Sequence, residues 1–143
     1  MSDKILVAVD FSEPTVRTLQ YAANLAKGRG VKVDLLYVIL NHIPAHIRIH
    51  APAEILDKIM RAEHLRAQSE LDELLDQYVP EAHRGKAILK EGLPAEAICE
   101  VSMDGYDMVV VATHGRTGLT HILIGSVAER VVRYAKVPVL VVR

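Results

Sequence analysis

The stretch from Val111 to Ser126 holds most of the residues that could do chemistry, among them Thr113, His114, Gly115, Arg116, Gly118, Gly125 and Ser126. It leaves an apolar run and meets a helical pattern at Gly125-Ser126. Amides that open a helix lack intrahelical acceptors and carry the positive end of its dipole, so they attract anions such as phosphate. Gly125 allows a close main-chain approach, and the Ser126 hydroxyl can bond a phosphate oxygen. Arg116 is a candidate for the same charge. Two common phosphate signatures are absent. A Walker loop needs a lysine after its last glycine, and here Val127 follows Gly125-Ser126. The dinucleotide fingerprint needs three glycines after the first strand, and Asp10-Phe11-Ser12 has none.

The elements that must position these residues follow from apolar periodicity. Lys4 to Val9 reads as a buried strand, continuously apolar after Lys4. Ser12-Glu13-Pro14 then offers a cap, an acid and a first-turn proline, and Val16, Leu19, Ala22, Ala23 and Ala26 recur at helical spacing. Gly28 and Gly30 predict the helix end, and Val31 to Leu40 a second strand. Asn41 to Pro52, with two prolines and three histidines, reads as a loop. A long helix is expected from about Ala53 to Tyr78, apolar at each end, polar in the middle and stopped by Pro80. Lys86 to Lys90 is a short strand, and Gly92-Leu93-Pro94 turns into a helix carrying Ala97, Ile98 and Val101. Met108 to Ala112, a helix from Ser126 to about Ala135, and Val139 to Val142 complete the chain.

Strands alternating with helices predict an α/β fold: one doubly wound, five-stranded parallel sheet flanked by four helices, as a single domain over 1–143. Such sheets bind ligands beyond the carboxyl ends of their strands, where the strand order reverses. Asp10, the residues around Val38 and the segment after Ala112 would then share one mouth.

Composition narrows the partners. The 143 residues carry 17 Lys+Arg against 18 Asp+Glu, so no electrostatic drive toward nucleic acid or an anionic membrane is expected. Every apolar run is too short to span a bilayer, and no secretory leader is expected from Met1-Ser2-Asp3-Lys4. Cys99 is the only cysteine, which fits a reducing, cytoplasmic setting.

Structural readings compete with functional ones. Ser126 with Glu129 forms a capping-box pattern that needs no ligand, and Asp10 could serve as a cap for the following helix. His42, His46 and His50 would make a metal-binding row on a helix, but Pro44 inside the set favours a solvated loop. Cys99 reads as packing. A Ser126–His114–Asp10 triad lacks the nucleophile elbow it would require.

The loop resembles that of the nucleotide-binding universal stress proteins: Gly, two residues, Gly, nine residues, Gly, then Ser or Thr. The second glycine matches Gly115, nine residues separate it from Gly125-Ser126, and Ala112 replaces the first glycine. Val9-Asp10-Phe11-Ser12, Gly92-Leu93-Pro94-Ala95-Glu96 and the final Pro138-Val139-Leu140-Val141-Val142 also look like the family. The resemblance implies a Rossmann-like sheet of strand order 3-2-1-4-5 that binds ATP or another adenine nucleotide. On that pattern Asp10, with Val9 and Ser12 beside it, meets the ribose, and the main chain around Ala8 and Val38 meets the adenine. Gly115, Gly125, Ser126 and Val127 hold the phosphates, with Mg2+ neutralising them, and Val111, Ala112, His114 and Arg116 are further candidates for contact with the nucleotide. It also implies a homodimer, or a larger oligomer, paired through Val139–Val142. The leading expectation is a nucleotide-dependent regulatory protein of the stress response. Slow ATP hydrolysis or phosphotransfer is a second reading, and a partner-binding module with a vestigial pocket a third.

Overall fold

In the computed structural model the described residues are 3–40, 44–114 and 124–143. Five strands, β1 (Lys4–Val9), β2 (Lys32–Ile39), β3 (Arg84–Glu91), β4 (Met108–Ala112) and β5 (Val139–Val142), form one sheet in the order β3-β2-β1-β4-β5. Every neighbouring pair is parallel: Val7 sits opposite Leu35 and Val110, and Val110 opposite Leu140. The helices are α1 (Pro14–Arg29), α2 (Ala45–His50), α3 (Ala53–Tyr78), α4 (Pro94–Ser102) and α5 (Ser126–Tyr134).

The continuous apolar runs are explained by cover on both faces of the sheet. On one side Ile5, Val7, Val33 and Leu35 pack with Leu19 of α1 and Leu71 of α3. On the other, Leu6, Leu36, Val109 and Val111 pack with Ile98 of α4 and Val131 of α5. Burying a side chain of this kind contributes roughly 1.5–3 kcal/mol, so these two layers hold the strand ends in place.

Several local expectations are corrected. The segment read as a loop contains α2, because Pro44 precedes the first helical turn, where a proline needs no N–H, instead of interrupting it. His46 and His50 therefore share a helix face, while His42 lies outside the described residues. Among the described residues no group of three His, Cys, Asp or Glu is arranged to hold a metal ion. The first helix runs through Gly28 and closes at Gly30, whose φ of 69° is the left-handed geometry glycine accepts readily. Ser12 does not cap it; Glu13 occupies the cap position without a side-chain bond. The third strand is longer than Lys86–Lys90, because pairing with β2 carries it to both sides.

A buried carboxylate pins the far edge of the sheet. Asp34 of β2 accepts hydrogen bonds from the Lys86 amide and the Tyr106 hydroxyl, both at 2.7 Å. Gly85 makes room for it, since a Cβ there would stand 1.9 Å from Asp34 Oδ1. The register of β2 against β3 shifts between Val33 and Leu35, at this same point.

Candidate functional site

The strand order reverses at β1, where β2 lies on one side and β4 on the other. Ligands bind at such a reversal, beyond the carboxyl ends of the strands. Here a cleft of about 700 Å³ opens, bounded by residues from β1, β2, β4, α3 and the start of α5. That volume falls within the roughly 300–1,000 Å³ of small-molecule sites.

Asp10 stands on the β1 side. Phe11, which follows it, has a φ of 59°, a left-handed conformation uncommon for a bulky side chain. Its ring packs on Tyr37 with centroids 4.5 Å apart, and that contact holds the turn. The turn folds the next residues back onto the carboxylate. Asp10 Oδ1 accepts the Ser12 amide at 3.0 Å, the Ser12 hydroxyl, and the Thr15 hydroxyl at 3.2 Å. Ser12 thus orients Asp10 and is not itself part of the cleft lining. The reading of Asp10 as a simple helix cap is replaced by this local knot.

On the opposite side β4 delivers Val111, Ala112, Thr113 and His114 to the cleft. The Thr113 amide donates to the Val142 carbonyl at 2.8 Å, which extends the β4–β5 ladder by one residue. Thr113 Oγ1 and His114 Nδ1 are 3.1 Å apart. The chain returns at Gly125, whose amide donates to the Thr113 carbonyl. A Cβ at Gly125 would lie 2.8 Å from that carbonyl oxygen, so glycine is needed where the chain passes the end of β4. Its φ of −72° is open to any residue, so the demand is one of space. In sequence this glycine suggests a close ligand approach; in the structure the close neighbour is the protein's own backbone.

Helix α5 begins at Ser126, with Gly125 in the cap position and no side-chain cap bond. The capping box does not form: Glu129 instead pairs with Arg133 one turn along. Its own amide bonds the Gly125 carbonyl at 2.9 Å, as a regular helix requires. The first-turn residues Ser126, Val127 and Ala128 line the cleft. A helix start that faces a cavity, with no side-chain cap bond among the described residues, is a ready site for an anion.

Of the residues singled out in sequence, Ala8, Val9, Asp10, Val38, Val111, Ala112, His114, Gly125, Ser126 and Val127 all border this one cleft. Gly115 and Arg116 lie outside the described residues. Ala112 is the last residue of β4. Sequence reasoning missed the wall formed by Ile59, Met60, Glu63 and Arg66 of α3. A signal existed: Ile59, Glu63 and Arg66 recur at helical spacing in a helix half whose apolar residues had no assigned partner. Arg66 is gripped by Glu63 at 2.7 Å and Glu70 at 2.6 Å, and these bonds push its pKa above the usual arginine range.

The fold and the cleft can be set beside known proteins. The family model "Universal stress protein family" matches residues 1–143. The chain belongs to the universal stress protein family. A curated relative, universal stress protein MJ0531 of Methanocaldococcus jannaschii, is 30% identical over 98% of this chain and 81% of its own length. The solved structure of MJ0577 from the same organism superposes with a TM-score of 0.83 at 28% identity, covering 99% of this chain and 96% of that one. A universal stress protein from Archaeoglobus fulgidus, solved in complex with dAMP, has a TM-score of 0.65 at 20% identity and covers 98% and 97% of the two chains. At that identity the likeness is one of fold. Among the described residues of this family member, no helix is long and apolar enough to cross a membrane.

Proposed function

We propose that this protein binds an adenine nucleotide, ATP foremost, and acts as a dimeric, nucleotide-dependent switch in the cytoplasmic stress response. The observation that carries the reading is that Asp10 and the start of α5 border one cleft at the strand-order reversal. A carboxylate accepts from the ribose hydroxyls, and helix-start amides donate to phosphate. A relative of the same fold holding dAMP supports the choice of base.

In this reading Asp10 holds the ribose, and the main chain of Ala8 and Val38 meets the adenine edge. The amides of Ser126 and Val127, with the Ser126 hydroxyl, hold phosphate. Gly115 and Arg116 join them on the family pattern. Magnesium arrives with the phosphates, whose oxygens are its natural ligands. Strand β5 ends the sheet, and its Val139–Val142 edge would pair with a second copy. Binding is the proposed activity, with any ATP hydrolysis slow.

Thermal melts with ATP, AMP and no nucleotide test the proposal, together with mass analysis of ligand retained on gentle purification. A ligand at one hundred times its Kd adds about 2.7 kcal/mol to stability, on the order of 8 °C for a chain of this size. No shift at millimolar ATP would leave the partner-binding module as the reading.

A further inference from the structure

Helices α4 and α5 lie side by side over one face of the sheet, with Ile98 and Val131 buried beneath them. Between their outer faces is a second cavity, of about 410 Å³, which among the described residues shares none with the cleft. Its floor is apolar: Ala95 and Cys99 of α4, Met103 just past the end of that helix, and Tyr134 of α5. Met103 and Tyr134 are 61% and 57% exposed, large side chains that the described residues leave mostly uncovered. The rims carry opposite charge. Glu96 and Glu100, one turn apart, stand on the α4 side, and Arg130 and Lys136 on the α5 side. Arg130 Nη2 is 3.8 Å from Glu96 Oε1, so these two share one level of the groove. A pair this exposed contributes little to the fold by itself. Glu100 and Lys136 lie further along in a common direction, because both helices run back antiparallel to the strands they connect.

Two acids and two bases around one groove select no small ion of either sign. They match a surface with an apolar centre, cations facing α4 and anions facing α5. The same surface turned over has that pattern, which is what an isologous contact requires. We propose that the groove between α4 and α5 docks on the same groove of a second copy of this chain, about a two-fold axis parallel to the helices. That axis sets α4 of one copy against α5 of the other and preserves the levels. Arg130 meets Glu96 of the second copy, and Lys136 meets its Glu100. An axis across the groove would set α4 against α4, carboxylate facing carboxylate, and is disfavoured. Met103 and Tyr134 of each copy enter the apolar floor of the other, an aromatic and a pliable thioether suited to such a contact. The surface is separate from the β5 edge: α4 packs against β2 and α5 against β5, so the groove faces away from the sheet and not along it.

Charge reversal on the full chain tests the contact, with sedimentation over a concentration series as the readout. Glu100→Lys and Lys136→Glu each set like charges face to face, and each counts twice across a two-fold axis. Either one alone is expected to raise the dissociation constant about tenfold or more. The two together restore opposite charges and bring it back to within about threefold of the parent. Cys99, the only cysteine, reports from the groove floor. Its labelling by a maleimide should slow as the parent or the double variant is concentrated, and stay independent of concentration in each single variant. A pair joined through β5 alone leaves the groove open and gives no such slowing. A parent that stays monomeric, or single reversals that change neither association nor labelling, would overturn the proposal. Association lost in the single variants and not regained in the double would overturn the pairing of opposite rims. Melts of all three variants verify folding, and the exposure of Glu100 and Lys136 makes both substitutions mild for the fold.

Discussion

Asp34 lies within β2, 4% exposed, and takes its hydrogen bonds from a strand amide and a phenol that are 52 and 72 residues away in sequence. Asp10 stands at the end of β1, half-buried at the cleft, and its acceptor oxygen is served by Ser12 and Thr15, two and five residues on. One lies inside β2 and the other just past the end of β1, its neighbour in the sheet. One joins distant parts of the chain, so the fold depends on it. The other is oriented by near neighbours in sequence and is presented to the cleft.

Three experiments put that contrast at risk. The largest effect is expected from Asp34→Ala. It leaves the Tyr106 hydroxyl and the Lys86 amide without their acceptor in a buried setting, and the loss is about 3 kcal/mol. Urea denaturation reads it, and a loss no larger than that of an exposed substitution would erase the distinction between the two aspartates.

A smaller effect belongs to pH. Burial, and then the bond and charge of Asp34, push the Tyr106 hydroxyl above the ordinary tyrosine pKa. The unfolded chain ionises this group near pH 10, about where a free tyrosine does. Its contribution is therefore fully present below that pH and is lost as pH rises from there toward the higher folded value. Stability should fall by up to about 1.4 kcal/mol per pH unit in that range. Tyr106→Phe, although less stable at neutral pH, should show a flatter alkaline slope. Equal slopes in the two proteins would place the alkaline sensitivity elsewhere.

The smallest change in stability is expected from Asp10→Ala, under about 1 kcal/mol for a half-buried, locally bonded group. The same variant should lose most of the ATP-dependent rise in melting temperature. A variant that melts much earlier without nucleotide, yet keeps its ATP response, would invert the comparison.

Much of the sheet was legible in the residues alone. Continuous runs such as Ile5 to Val9 and Met108 to Ala112 announce strands covered on both faces, and the strand-helix alternation announces a parallel sheet. The cleft was legible in part, because Asp10 and Gly125-Ser126 each adjoin the carboxyl end of a strand or the start of a helix. Helix α2 was hidden because a proline among histidines reads as an interruption, whereas Pro44 sits just before the first turn. The role of Asp34 was hidden too. A single acid in an apolar strand signals a buried partner without naming it, and Tyr106 lies beyond several further helices and a strand.

Local pattern thus determined which segments are strands, which are helices and at which end of the sheet the polar residues gather, since periodicity and capping act over a few residues. Tertiary structure alone decided that Gly125 must clear the Thr113 carbonyl, that Asp34 meets Tyr106, and that α3 walls the cleft. Those contacts join residues far apart in the chain. Their geometry follows from how the layers pack, and no short stretch of sequence contains that information.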